Sequence, residues 1–352
     1  MSRAAPMRAA FALLATLLLA PAAAAQVPHY GADLEHFDYP WPVHWFDAEA
    51  QGGKVRMAYL DVAPAGPANG RTAVLLHGKN FCAATWQDTI ATLAAEGFRI
   101  IAPDQIGFCK SSKPAGFQYS FHTLADLTDR LLTEAGVEDF TLIGHSTGGM
   151  LGIRYALLHP ERVSQLVLVN PLGLNDTIAE GVPYAPLSQL RAAEAETDEA
   201  SIRAYQRRVY YQGEWNARYE QWVDMLAGQY ASEAGDTVRE AQARTSDMIQ
   251  TQPTAHELDR LQVPTTLIIG QEDLTAFRAA AAPEAVRDQV RTVPEAAEEA
   301  VERIQGAAIM RLPGLGHSPQ VEAPDRFHRA LLDALATPGT PQTNRQPDDT
   351  TP

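Results

Sequence analysis

Residues 144–148 read Gly-His-Ser-Thr-Gly and directly follow the apolar run 140–143. A G-x-S-x-G pentapeptide between a buried strand and a helix is typical of a nucleophile elbow, a sharp turn that raises a serine above the edge of a sheet. Residues 150–158 have the helical composition that must follow such a turn. Glycine is required at both ends because a strained nucleophile leaves no space for neighbouring Cβ atoms. The pattern predicts Ser146 as a nucleophile.

A serine hydroxyl attacks only with the help of a base, and the base needs an acid that orients it. His317 lies in a glycine-rich loop, residues 313–319, directly after the last predicted strand. Asp273 directly follows another predicted strand, residues 266–269, and Glu272 beside it is the rival carboxylate. Both loops leave the same edge of the sheet, so we expect Ser146, Asp273 and His317 to form a catalytic triad.

The elements that position these residues alternate between apolar strands and helices, which predicts an α/β fold with a mostly parallel sheet. Near-continuous apolar strands indicate burial on both faces of the sheet. Residues 51–53, Gln-Gly-Gly, predict a hairpin between two leading strands that form an antiparallel edge. The predicted strands are 41–48, 55–62, 73–76, 99–101, 141–143, 165–169, 266–269 and 308–312.

Over residues 41–336 the chain resembles the α/β-hydrolase superfamily, in its capped, serine-nucleophile subgroup. The resemblance rests on the motifs at 77–78, 104–111, 144–149, 270–273 and 316–317. It implies an eight-stranded, mostly parallel sheet flanked by helices, with a helical cap inserted after the sixth strand.

The same resemblance implies that Ser146 is the nucleophile, His317 the general base and Asp273 the orienting carboxylate. The backbone N–H groups of Lys79 and Thr147 would then form the oxyanion hole, with that of Asn80 as a further candidate.

This organisation divides the chain into a core of residues 26–171 and 263–336 and a cap of residues 172–262, with a further insertion at 274–306. The cap is rich in aromatic residues, which either line a substrate pocket or pack helices together.

Both ends of the chain have compositions that differ from the core. Arg3 and Arg8, an apolar stretch and Ala23-Ala24-Ala25 have the layout of a cleavable export signal over residues 1–25. We therefore expect a periplasmic or secreted protein without stable membrane insertion after cleavage. Residues 337–352 are rich in Pro, Thr, Gln and Asp, which predicts a disordered tail.

Cys82 and Cys109 are the two cysteines of the chain, and both follow predicted strands that leave the same edge of the sheet. In an exported protein this predicts a disulfide; the alternative is two free, buried thiols. The resemblance adds that Cys109 replaces a glycine of the family's loop pattern D-x-x-G-x-G-x-S.

The formal net charge of −15 argues against nucleic acid as a partner. For a hydrolase of this kind we expect a small-molecule substrate. Neither a phosphate-binding loop nor a dinucleotide motif is present, so we expect no cofactor, and neither cysteine has a partner at metal-ligand spacing.

The expected reaction is hydrolysis of a carboxylic ester or lactone through an acyl-enzyme. Epoxide hydrolases and haloalkane dehalogenases of similar fold use an aspartate at the elbow, so Ser146 argues against both. The alternatives are a proline iminopeptidase-like aminopeptidase, disfavoured by Thr147 where that group carries tryptophan, and a cofactor-free haloperoxidase or perhydrolase. A non-catalytic receptor of the same fold is disfavoured because it would not need the complete triad.

Overall fold

The computed structural model describes Met1 and residues 28–336. Apart from Met1, the predicted export signal 1–25 lies outside the described residues, as does the predicted tail 337–352. None of the helices in the described part of the chain combines the length and the apolar character that a membrane span requires.

A single eight-stranded sheet organises the fold, in the strand order β1-β2-β4-β3-β5-β6-β7-β8. Strands β3 to β8 run parallel, while β1 and β2 form the antiparallel edge that the sequence predicts. The strands are β1 Val43–Ala50, β2 Gly53–Val62, β3 Thr72–Leu76, β4 Arg99–Pro103, β5 Phe140–His145, β6 Val163–Val169, β7 Thr265–Gly270 and β8 Ala308–Leu312. The predicted fold class is confirmed.

The hairpin between β1 and β2 is tighter than predicted, because only Gln51 and Gly52 form the turn and Gly53 pairs with Ala50. Both turn residues have positive φ, 52° and 77°. Positive φ at both central residues is the backbone geometry whose twist matches that of paired strands. The two strands therefore extend to the turn itself.

Helices cover both faces of the sheet because the strands alternate their side chains between two apolar cores. On β3, Val74 and Leu76 join one core, and Ala73 and Leu75 join the other. The helices are α1 Gln87–Ala95, α2 Phe121–Glu134, α3 Thr147–Leu158, α4 Leu187–Ala195, α5 Glu199–Tyr205, α6 Ala217–Tyr230, α7 Gly235–Thr251, α8 Glu284–Arg287, α9 Val293–Arg303, α10 Pro319–Glu322 and α11 Pro324–Ala336. Helices α2, α3 and α9 contribute to the first core, and α1 and α11 to the second.

Helices α4 to α7 lie between β6 and β7, where the sequence predicts a cap. Val223 of α6 is buried in an apolar cluster of cap residues, and Trp222 is buried in one that the cap shares with the loops after β3 and β4. Further along the chain, residues between β7 and β8 form α8 and α9. Residues of α4 to α6 and of the segment after β7 line one cavity with Ser146, so the cap and this segment enclose the candidate site.

Candidate active site

Ser146 lies at the sharp turn between β5 and α3, with φ of 55° and ψ of −117°. Its flanking glycines are required by contact with backbone atoms. A Cβ at Gly144 would lie 2.3 Å from the carbonyl oxygen of Gly148, and a Cβ at Gly148 would lie 2.2 Å from that of Leu76. The turn can therefore form only with glycine at both positions, as the pentapeptide suggests.

The structure brings the three predicted triad residues together in one hydrogen-bonded chain. His317 Nε2 lies 2.9 Å from Ser146 Oγ, and His317 Nδ1 lies 2.7 Å from Asp273 Oδ2. All three side chains are buried, whereas the rival carboxylate Glu272 is exposed. In this arrangement the imidazole can take the proton of the serine while the carboxylate holds its orientation.

Asp273 is kept ionised by its hydrogen bonds. Burial opposes ionisation, but the charge and hydrogen bond of His317, together with donors from Thr275 and Asn170, outweigh it and lower the pKa of Asp273. Thr275 N donates to Oδ1 at 2.8 Å, and Asn170 Nδ2 donates to Oδ2 at 2.7 Å. A buried carboxylate with these partners stabilises a positive imidazole next to it.

Asn170 is a functional residue that the sequence analysis missed. It directly follows β6, has φ of 40°, and is fully buried. Its Oδ1 accepts from Gly270 N at 3.0 Å while its Nδ2 reaches Asp273, so it links the ends of β6 and β7. A polar residue immediately after a buried parallel strand is a signal that could have identified it.

His145 lies next to His317 and holds its backbone through a hydrogen bond. Its Nε2 lies 2.8 Å from the carbonyl oxygen of His317 and must donate, because a carbonyl only accepts. Burial, together with the nearby His317, lowers the pKa of His145 to about 3. It is therefore neutral, and it fixes the backbone of the loop that carries His317.

The backbone N–H groups predicted for the oxyanion hole lie on two segments that meet at Ser146. Thr147 begins α3, where the first N–H groups of a helix have no acceptor within the helix. Lys79 N donates to no acceptor in the part of the chain that the structure describes. A Cβ at the neighbouring Gly78 would lie 2.9 Å from Ser146 Cβ, so this loop passes directly beside the serine.

Two further motif residues brace that loop. Asp104 Oδ1 accepts from Ala83 N at 2.8 Å, and Oδ2 accepts from Lys110 N at 3.0 Å and from the hydroxyl of Tyr39 at 2.6 Å. His77 Nε2 accepts from Gln105 N at 3.1 Å, so its Nδ1 can donate to the carbonyl oxygen of Gly78. Both residues act through the backbone of the loops.

Ser146 and His317 open into a cavity of about 600 Å³ between the core and the cap. Of the aromatic cap residues, Tyr205, Tyr210 and Tyr230 line it, and Tyr210 stacks on His317 with ring centroids 5.2 Å apart. Others pack within the cap instead, since Tyr211 and Tyr219 stack on each other at 3.6 Å. Some aromatic residues of the cap therefore line the cavity, and others pack the cap helices together.

Comparison with known proteins identifies the family of this chain. A sequence model of the alpha/beta hydrolase fold matches residues 73–324. The chain belongs to the α/β-hydrolase family. A crystal structure of a probable hydrolytic enzyme from Pseudomonas aeruginosa PAO1 resembles this α/β-hydrolase with a TM-score of 0.87 and 50% identity, covering 88% of this chain and 99% of that chain.

Other relatives of this α/β-hydrolase differ in their named activities. A haloalkane dehalogenase from Mycolicibacterium paratuberculosis is 36% identical over 135 residues, which are 38% of this chain and only 44% of the relative. An esterase from Exiguobacterium antarcticum has a TM-score of 0.63 at 20% identity, covering 83% of this chain and 99% of that chain, a likeness of fold alone.

In this α/β-hydrolase an ion pair joins the loop beside the serine to the cap. Lys79 Nζ lies 3.1 Å from Glu194 Oε1 on α4, and both side chains are mostly buried. The other oxygen of Glu194 accepts from the hydroxyl of Tyr230 on α6 at 2.7 Å. All three residues line the cavity. The ion pair therefore couples the position of the cap to the loop that carries the Lys79 N–H.

The predicted disulfide is wrong for this structure, in which Cys82 and Cys109 are free and buried. The thiol of Cys82 contacts Met225 Sδ at 3.1 Å, and that of Cys109 donates to the carbonyl oxygen of Phe81 at 3.2 Å. Burial, and then the neighbouring thiol, raise the pKa of Cys109 well above its usual range. Cys109 has φ of 48°, so it adopts the left-handed backbone for which glycine is the usual residue. The loop is held by packing and hydrogen bonds.

Proposed function

We propose that this α/β-hydrolase cleaves a small-molecule carboxylic ester or lactone through an acyl-enzyme on Ser146. The observation that carries the proposal is the buried chain of hydrogen bonds from Ser146 through His317 to Asp273, which ends in the cavity under the cap. A serine that faces an unprotonated imidazole nitrogen can lose its proton as it attacks a carbonyl carbon.

In the first step His317 Nε2 takes the proton of Ser146, and Oγ bonds to the carbonyl carbon of the substrate. The carbonyl oxygen becomes an oxyanion, which the N–H groups of Lys79 and Thr147 would stabilise. His317 then gives its proton to the leaving alcohol. Water, deprotonated by the same imidazole, attacks the acyl-enzyme; the bond between the acyl carbon and Ser146 Oγ then breaks, and His317 returns its proton to Oγ.

Asp273 keeps its negative charge throughout this cycle. Its lowered pKa supports that role, because an ionised carboxylate stabilises the imidazolium that forms after proton transfer. Asn170 and the Thr275 N–H fix the carboxylate so that Oδ2 stays directed at His317.

The serine at the elbow also favours ester hydrolysis over the haloalkane dehalogenation for which one relative is named. That match spans less than half of the relative's length. The group at the elbow here is a hydroxyl, which forms an ester with an acyl group that water can cleave. The similarity to the probable hydrolytic enzyme extends over nearly that whole chain and agrees with hydrolysis.

The test is covalent labelling with a fluorophosphonate probe, followed by a panel of aryl esters, lactones and aminoacyl anilides. We expect labelling and ester turnover by the wild type and neither by Ser146→Ala. Ser318→Ala is the matched control, because Ser318 is buried beside His317 and its hydroxyl has no partner in the described chain. Preferential turnover of aminoacyl anilides would favour aminopeptidase activity over the proposed esterase activity. A folded wild type that is neither labelled nor active would refute hydrolysis by Ser146.

A further inference from the structure

The wall of the catalytic cavity carries an excess of positive charge, although the chain as a whole has a net charge of −15. Apart from His317, its charged lining residues are Lys79, Glu194, Arg208 and Arg278. Lys79 and Glu194 neutralise each other in their ion pair. No carboxylate of the described residues lies within ion-pair distance of either arginine, so two positive charges remain uncompensated.

Arg208 lies on the π-helical turn 206–210, directly after α5, and its side chain is exposed. It makes no hydrogen bond or ion pair within the described chain. The other arginines of α4 to α7 and of the turns between them differ. Carboxylates hold Arg191, Arg203 and Arg244, and backbone carbonyls hold Arg207, Arg218 and Arg239. Glu199 and Glu272 line the adjoining outer groove with Arg208, and neither forms an ion pair with it.

Arg278 is fixed in place and still has donors to spare. Its Nη1 donates to the carbonyl oxygen of Pro183 at 2.9 Å and to Gln250 Oε1 at 2.8 Å. Its Nε and Nη2 have no acceptor among the described residues. The backbone at Arg278 has φ of 60°, the left-handed region in which a residue with a Cβ is strained. Such strain persists only where the surrounding structure holds it, and it is commonest at functional sites.

A guanidinium presents its N–H groups in a planar fork that matches a carboxylate. We propose that Arg208 and Arg278 form an anion subsite, which selects esters or lactones that carry a second, ionised carboxylate group. The reacting carbonyl lies at Ser146 while the carboxylate binds the arginines on the wall of the same cavity. This inference rests on the proposed function and names its substrate class.

The first experiment compares two aryl esters that differ in one charge, 4-nitrophenyl hemiglutarate and 4-nitrophenyl pentanoate, with the hemiadipate as a longer probe. We expect the wild type to have a kcat/KM for a hemiester about tenfold above that for the neutral ester. Arg208→Gln removes a charge that makes no hydrogen bond or ion pair within the described chain, and it should abolish this preference. Arg278→Gln should reduce it.

Arg218→Gln is the matched control, because it removes the same charge from α6 outside the cavity. It should retain the preference of the wild type. Equal kcat/KM for charged and neutral esters in the wild type, or a preference that survives Arg208→Gln, would overturn the anion subsite while leaving hydrolysis intact.

A binding measurement separates failure of the subsite from failure of the proposed function. Calorimetric titration of Ser146→Ala with glutarate or adipate, neither of which contains an ester bond, measures dicarboxylate binding without any turnover. We expect binding that weakens with salt and falls about tenfold when Arg208→Gln is added. If Ser146→Ala binds the dicarboxylate but the wild type shows neither ester turnover nor fluorophosphonate labelling, hydrolysis is refuted and the subsite stands. If the wild type turns over neutral esters but Ser146→Ala binds no dicarboxylate, the subsite is refuted and hydrolysis stands.

Discussion

Asn170 Nδ2 donates at 2.7 Å to Oδ2 of Asp273, the same oxygen that accepts from His317 Nδ1. One carboxylate oxygen therefore receives two donors, one from the end of β6 and one from the loop after β8. Because Asn170 Oδ1 also accepts from Gly270 N, the amide cannot rotate without breaking a second bond. The orientation of the acid is thus built into the edge of the sheet.

Asn170→Ala should lower kcat/KM by at least about tenfold, because a hydrogen bond to a charged group contributes about 1.5–3 kcal/mol and 1.4 kcal/mol is a factor of ten. The loss of a donor also raises the pKa of Asp273 towards its ordinary value. Ester turnover by the purified variant measures the effect. Asn175→Ala, which removes an amide bonded to Glu180 and the Arg291 carbonyl, is the control and should match the wild type. Unchanged turnover in Asn170→Ala would mean that Thr275 N and His317 suffice to orient the carboxylate.

Gly148→Ala should destabilise the protein by about 3 kcal/mol or more, because its Cβ would meet two backbone carbonyl oxygens, those of Leu76 at 2.2 Å and His77 at 2.6 Å. Backbone at the centre of the sheet cannot move aside. Gly152→Ala lies in the same helix, and its Cβ would meet only a Leu166 methyl group at 3.3 Å. That control should stay within about 1 kcal/mol of the wild type. Urea unfolding of both variants measures the difference, and equal stabilities would show that the elbow can relax.

The sheet and the triad geometry could be predicted because their signals are local. Ser146, Asp273 and His317 each sit in a short motif directly after an apolar strand, and parallel strands deliver their ends to one edge. Asn170 sits in the same kind of position but carries no motif, so it was missed. The unpaired state of Arg208 could not be predicted at all, because pairing depends on residues far away in the chain.

The cysteine pair shows where such reasoning fails. The two loops do converge, as predicted, and the sulfur atoms of Cys82 and Cys109 and an oxygen of Asp104 lie within 4.8 Å of one another. Two sulfur atoms that lie this close need not be bonded, however, and here both are free. Met225 on α6 and the carbonyl of Phe81 provide the contacts, and the position of α6 is a property of the whole cap.

Both thiols should titrate with Ellman's reagent only after unfolding, because Cys82 and Cys109 are 0% and 4% exposed. The raised pKa of Cys109 further reduces its thiolate fraction in the folded protein. Dithiothreitol should leave the melting temperature and the ester turnover unchanged. No free thiol in denaturant, together with a lower melting temperature in reductant, would instead reveal a disulfide in the protein as isolated.

His145 should make the protein less stable in acid. Its pKa is about 3 in the folded protein and 6.5 as an ordinary value, so between these pH values the unfolded chain binds a proton that the folded chain does not. The contribution of His145 to the free energy of unfolding is fully present above about pH 6.5, and about 2 kcal/mol of it is lost by pH 5.

His145→Gln keeps a donor towards the His317 carbonyl but cannot titrate, so its free energy of unfolding should fall less between pH 7 and pH 5 than that of the wild type. His36→Gln removes an exposed histidine and should follow the wild type. Urea unfolding at the two pH values measures this; parallel losses in wild type and His145→Gln would exclude His145 as the source.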